Sequence, residues 1–174
     1  MTGVQTGALP ISLTLRTPVA ADETSLTLHD KLACLSATAF VKALTLAESG
    51  ALTFSPQDES QATYTRKLTR DDGVMDFTRS AVELERRVRA YTPWPGATAS
   101  LLLNGKPTAL KVLRATVVSA DEKTDRKNAG EILAADDARG LVVACGCGAL
   151  RLNEVQLPGR NRCSDADFIR GLKG

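Results

Sequence analysis

The 174-residue sequence has one histidine, one tryptophan and no glycine-rich phosphate loop. With His29 as the only imidazole, a two-histidine metal site cannot be assembled, and a Ser-His-Asp triad, which would have to use this one helix residue, is not expected. Neither GxGxxG nor GxxxxGK[ST] occurs, so backbone cradling of a nucleotide phosphate is not expected. Apolar runs extend only a few residues, as in Leu101-Leu102-Leu103, and no transmembrane helix is expected. The opening MTGVQTGALPIS has neither a basic stretch nor a long apolar one, so a secretory signal is not expected either. A reducing cytoplasm is the expected compartment. What is present is globular composition, 43% hydrophobic and 24% charged, which excludes disorder, collagen and coiled coil as whole-chain descriptions. The length suits one domain, or a small domain with an attached piece.

The net charge of +2 conceals a division. Residues 1–59 carry −3, residues 60–118 carry +5 and residues 119–174 are balanced. A basic middle beside an acidic leader suggests a surface that faces a polyanion.

Alternation of Leu13 and Leu15 with Thr14 and Arg16 predicts a strand over 12–19, ended by Pro18. Thr24 is the expected N-cap of a long helix over 25–49, with Asp22 and Glu23 near its positive end. Leu28, Leu32, Leu35 and Ala39, continued by Val41, Leu44 and Ala47, form its apolar stripe, and Gly50 is the expected stop. Residues 54–73 are polar and read as a linker with a short extended piece around Tyr64. Ser80 and Glu83 form the pattern of a capping box opening a second helix, whose face is Leu84, Val88 and Tyr91. Pro93 and Pro95 forbid its continuation. The period then becomes two. Residues 97–103 lead to Asn104-Gly105, a strong hairpin signal, and 108–118 return. A polar loop over 119–129 precedes strands near 130–134, 141–145 and 150–157, and Ser164 caps a final helical turn. Several short strands of this kind suggest a small closed barrel.

Four candidate chemistries compete. His29 beside Asp30 reads as an exposed helix histidine. Cys145 and Cys147 are expected to aim both sulfurs to one face of a strand end, with Cys163 and Cys34 elsewhere; the spacing differs from the usual structural-zinc knuckle, and no metal is expected. The acid pairs Asp22-Glu23, Asp71-Asp72, Asp121-Glu122 and Asp136-Asp137 read as solvated turn acids. The basic residues are the informative set: Arg66, Lys67 and Arg70 in the linker, Arg86, Arg87 and Arg89 on the second helix, Lys106 and Lys111 in the first hairpin, and Arg160 and Arg162 after the last strand. Read as residues alone, they fit a solvated surface and nucleic-acid binding equally, and a small barrel shifts the balance toward binding.

The run QDESQATYTRKLTRDDGVMDF followed by LERRVRAYTPWPGA resembles the linker and start of the C-terminal domain of the methionyl-tRNA formyltransferase family, and TPVAADETSLTLHDKLA is similar to the end of that family's catalytic domain. The resemblance runs from about Thr17 to the C-terminus. It implies an α+β fragment: residues 1–53 as the truncated end of a Rossmann-like α/β catalytic domain, a strand plus a long helix; residues 54–73 as a linker; and residues 74–174 as a small antiparallel barrel of oligonucleotide-binding (OB-like) type with a leading helix. It implies transfer of a formyl group from 10-formyltetrahydrofolate to the amino group of methionyl initiator tRNA. The N-x-H catalytic motif does not occur in these residues, and no catalytic residue transfers; Gly3-Val4-Gln5-Thr6-Gly7 resembles the end of a D-x-G-x-D-T-G signature with Gln5 in place of its last Asp.

The resemblance therefore implies a tRNA-binding piece without catalysis, folate being co-substrate of the full-length family rather than a ligand of this fragment. Lys67 and Arg70 fall on the two basic positions of the family's K-L-[ST]-[KR] linker motif. Trp94 is expected to be structural, wedged between two prolines at the corner between helix and barrel, with base stacking as the lesser alternative. The family is usually monomeric, whereas the long helix, lacking its sheet, is expected to stay exposed or to associate with another copy. Two other readings remain open: a stand-alone RNA-binding module, and the corresponding domain of a sugar-nucleotide or folate-linked formyltransferase relative.

Overall fold

The computed structural model describes residues 10–103, 105–118 and 128–172. The stretch 3–7, Asn104 of the hairpin pair, and most of the loop with its Asp121-Glu122 pair lie outside the described residues. The chain divides into two compact units, one ending at Lys67 and the other beginning at Leu68, inside the stretch read as a linker.

In the first unit the strand expected over 12–19 does not form. Leu13, Leu15 and Thr17 are half-buried while Thr14, Arg16 and Pro18 are exposed, so the alternation is real. A strand, however, needs a row of backbone partners. The described residues supply one isolated bridge, in which Ile11 and Ser55 exchange hydrogen bonds of 2.8 and 2.9 Å. Helix α1, Ser25–Glu48, begins at Thr24 as expected. Its box is made by two threonines: Thr27 N–H donates to Thr24 Oγ1, and Thr24 N–H donates to Thr27 Oγ1. Glu23 instead accepts from Ala20 N–H and from Lys31. At the other end Gly50 takes φ +69°, with Ala51 N–H reaching Leu46 O, which is the arrangement that satisfies last-turn carbonyls. No residue of α1 is buried; Leu28, Leu35 and Ala39 are half-buried, and Leu32, Val41 and Leu44 are exposed. The helix displays its apolar face without burying it.

The second unit carries the core. A 3-10 turn, Arg70–Gly73, precedes helix α2, Ala81–Ala90. Strands follow: β1 Ala97–Leu103, β2 Lys106–Val118, β3 Ile132–Asp136, β4 Gly140–Ala144, β5 Ala149–Gln156 and the short β6 Cys163–Ser164, before helix α3, Asp165–Leu172. All strand pairs are antiparallel, in the order β1-β2-β5-β4-β3 with β6 also on β5. β2 loses register twice between Val112 and Ala115, and such bulges bend a strand. The result is a curled sheet consistent with a small barrel. No ladder among the described residues joins β1 to β3, so the closed barrel expected from the strand count is an open path here.

Alternation fills the core. Ala97, Ala99, Leu101 and Leu103 point inward from β1, Leu110 and Val112 from β2, and Leu84 and Val88 of α2 cover them. Ser80 caps α2 by accepting Glu83 N–H, but Glu83 turns its carboxylate to Arg79 and Arg87, so half the expected box is made. Ser164 accepts Asp167 N–H at α3, as expected.

The one buried charged residue of the described core is Asp165. It receives Arg151 Nε at 2.6 Å and Ala166 N–H at 2.9 Å. Burial raises its pKa, but the Arg151 hydrogen bond and charge, together with the Leu141 and Ala166 N–H groups, outweigh burial and hold the carboxyl below its ordinary value. A β-carbon on Gly140 would stand 2.1 Å from Asp165 Oδ2, so the pair fits only against a bare backbone. A depressed folded-state pKa contributes stability above the unfolded value that is lost as pH falls toward the folded one. Asp165→Asn is therefore expected to cost about 1–3 kcal/mol near neutrality. Below about pH 4 its melting temperature should converge on that of the native sequence. Parallel melting curves down the acid limb would contradict this.

Candidate functional site

The basic residues fall into distinct settings. Arg66 and Lys67 belong to the first unit and are exposed, Arg66 donating to the Lys67 carbonyl. On α2, Arg89 is held by Glu85 at 2.6 Å and Arg87 by Glu83 at 3.3 Å, which discounts both as phosphate clamps. Arg86 on the same helix is exposed and has no ion-pair partner among the described residues. Arg162 lies 3.5 Å from Glu154. Arg70, Lys106, Lys111 and Arg160 have side chains without a partner among the described residues.

One of these four cations, Lys111, lines a groove of the second unit, and Arg160 directly follows its wall residue Gly159. Because Leu110 and Val112 point into the core, the strand period turns Lys111 to the outer surface. It sits in register between Thr98 of β1 and Gln156 of β5, and these three residues line a groove of about 310 Å³ with Leu157, Pro158 and Gly159. Gln156 Nε2 donates to Arg160 O at 2.8 Å and fixes the turn at its end.

The groove's wall residue Thr98 is bonded to the Arg70–Gly73 turn. Asp72 accepts from Thr69 N–H at 2.7 Å and from Thr69 Oγ1 at 3.0 Å, closing the turn and leaving Arg70 exposed. Gly73 lies so close to Gly96 that a β-carbon on it would stand 2.0 Å from Gly96 O. Met75 N–H donates to Thr98 O, and Thr98 Oγ1 to Gly73 O, so the turn is bound to the edge of β1. Gly96, at φ +82°, is covered by lysine: a β-carbon there would stand 2.9 Å from Lys111 Cε. The turn, the glycine corner and the lysine stem form one packed unit.

Charge separates this groove from larger ones. A groove of about 480 Å³ in the first unit is lined by Asp58 and Glu59, and one of about 570 Å³ beside β1 and β3 includes Glu131; among the described residues neither has a lysine or arginine in its wall.

The remaining candidates resolve into structure. His29 is exposed, 3.2 Å from Asp30 on its own helix. The two sulfurs of the C-x-C do not share a face: Cys145 is buried and Cys147 exposed. The pair lies in a turn just after β4, where Gly146 N–H donates to Phe77 O and Arg79 O, and Cys147 O accepts Ala81 N–H at the start of α2. Burial, with Cys147 nearby, pushes the Cys145 thiol up to about 11. Among the described residues no group of three His, Cys, Asp or Glu is placed to hold a metal ion. Asp136 accepts Arg139 N–H and Ala138 N–H, a turn role. Trp94, expected to be wedged, is 54% exposed, because the Gly73 contact fills the corner with backbone and the Pro95 ring instead. Sequence reasoning missed Thr98 and Gln156 as groove walls; only strand register brings them to Lys111. Among the described residues no helix is long and apolar enough to cross a membrane.

Comparison with known proteins adds to this geometry. Residues 67–173 match the family model "Formyl transferase, C-terminal domain". The chain is 41% identical over 170 residues to a methionyl-tRNA formyltransferase of Herminiimonas arsenicoxydans and 44% identical over 171 residues to that of Pseudomonas paraeruginosa. Each alignment covers 98% of this chain and 51% of the relative, so the chain spans about half the length of these relatives. The crystal structure of a HypX variant from Aquifex aeolicus shares the fold, with a TM-score of 0.59 and 18% identity, over 89% of this chain and 27% of that one.

The close approach of Gly73 to Gly96 is testable by itself. Gly73→Ala should cost about 1–3 kcal/mol through overpacking against backbone. Thermal denaturation reads the effect, and an unchanged midpoint would mean that the approach is not made.

Proposed function

This chain belongs to the formyl transferase C-terminal domain family, and from that premise we propose that it serves methionyl-tRNA formyltransferase by gripping initiator tRNA. The observation that carries the reading is the groove lined by Lys111 on the outer face of the sheet, with Arg160 directly after its wall residue Gly159 and Arg70 on the turn bonded to its wall residue Thr98. Lysine acts there as a mobile point charge and arginine as a planar fork on phosphate oxygens. Such contacts position a large polyanion, and remote binding energy of this kind is used for orientation at a distant reacting centre. Lys67 and Arg70, on the family's two linker positions, would extend the grip, with Lys106, Arg160, Arg162, Arg86 and Arg66 as further phosphate contacts, while Arg87 and Arg89 stay with Glu83 and Glu85. The second unit would be an OB-like barrel, and the first unit the end of a Rossmann-like domain.

Formyl transfer itself is assigned to residues other than these: no N-x-H motif occurs among them, and 10-formyltetrahydrofolate would bind elsewhere in the full-length enzyme. The cytoplasm is the compartment this work requires. The exposed face of α1, with Phe40 and Val41 at 66% and 63% exposure, would draw copies of the isolated chain together.

Binding of initiator tRNA should weaken steeply with salt, since each neutralised phosphate releases counterions. Arg70→Ala with Lys111→Met, the latter keeping a stem over Gly96, should lower the slope of log affinity against log salt by about 2. A slope unchanged by both substitutions would reassign these residues to general solubility. In a radiolabelled formylation assay the 174-residue chain should give no turnover, and turnover would overturn the division of labour.

A further inference from the structure

The corner that carries Lys111 also carries the only tryptophan of the chain, and the grip on phosphates leaves it unused. A single exposed aromatic is ordinary surface. Its setting is not. Pro93 and Pro95 restrict the backbone on both sides of Trp94. Gly96 N–H donates to Tyr91 O at 2.9 Å, tying the loop to the end of α2, and the Pro95 ring lies 3.6 Å from where a Gly73 β-carbon would be. The segment that presents the indole is thus braced by α2 on one side and by the Arg70–Gly73 turn on the other. Trp94 remains 54% exposed and Val74, next to Gly73, 59% exposed, so the brace leaves apolar surface facing solvent. The stem of Lys111 lies over Gly96, two residues after Trp94, and Arg70 stands three residues before Gly73, both without ion-pair partners among the described residues.

A held aromatic face beside cations that follow a phosphate backbone is the combination by which proteins bind single-stranded nucleic acid, the base stacking while the backbone is neutralised. A fully paired duplex presents no free base face; an unpaired nucleotide does. We propose that Trp94 is a stacking platform for an unpaired nucleobase of the RNA whose phosphates Arg70 and Lys111 hold. The inference rests on the RNA-binding reading above and adds to it a preference for a single-stranded segment.

Because Trp94 is the sole indole, its emission reports the contact directly. Titration of the native chain with a short single-stranded oligoribonucleotide should quench tryptophan emission, whereas a blunt duplex of the same sequence should bind without quenching. Trp94→Ala should weaken the single strand about tenfold and leave the salt slope unchanged, and Trp94→Phe should recover most of the loss. Thermal midpoints of both variants separate loss of stacking from loss of fold, and the fluorescence result on the native chain stands without either variant. Binding of the single strand with unquenched emission and unaltered affinity in Trp94→Ala overturns the platform alone, as does equal quenching by the duplex. Failure of the native chain to bind any RNA overturns the platform together with the reading beneath it.

Discussion

The contact on which this surface depends is the approach of Gly73 to the carbonyl of Gly96, where no side chain can stand between two backbones. It joins the end of the K-L-T-R-D-D-G stretch to the corner between α2 and β1. Once it is made, Met75 can donate to Thr98 O, Thr98 can donate to Gly73 O, and the stem of Lys111 can lie over Gly96. Arg70 is then presented by a turn anchored to the sheet. A residue with a β-carbon at position 73 would push the turn away and separate the arginine from the groove.

The charge of the second unit is arranged by the same logic that builds its core. Inward positions of β1 and β2 are small or aliphatic, and the period of two places Lys111 outside between Thr98 and Gln156. Several acids of the second unit are engaged otherwise, while Asp71, beside Arg70, is exposed. Asp72 closes the Arg70 turn, Glu83 and Glu85 hold arginines of α2, and Asp165 is consumed by Arg151 beneath the sheet. A modest net charge of +2 is thereby compatible with a local field that attracts a polyanion.

Much of this was legible in the residues because local signals dominate there. Thr24, Ser80 and Ser164 are caps, Pro93 ends the α2 region, and the alternation over 97–103 is a strand with the expected bounds. The errors share one physical origin, dependence on partners distant in sequence. The stretch 12–19 alternates like a strand but has no row of backbone groups to pair with among the described residues. Cys145 and Cys147 were expected on one face, yet the chain leaves the strand between them to cap α2. Glu83 is drawn to two arginines rather than to the Ser80 backbone. Among the site residues, Arg70 and Lys111 could be named from type and position, but that they share one corner follows only from two glycines meeting. The burial of Asp165 against Arg151 had no signal in either local sequence.

The proposed RNA surface is the outer face of β1, β2 and β5, between the Arg70 turn and the Gly159 turn. Amide chemical-shift mapping of the isotope-labelled chain during titration with initiator tRNA measures this most directly. The account predicts perturbations concentrated at Gly73, Gly96, Thr98, Lys111, Gln156 and Gly159, with Asp165 and the buried strand β4 unaffected. Perturbations gathered on α3 or beside Glu131, with the Lys111 groove silent, would contradict it.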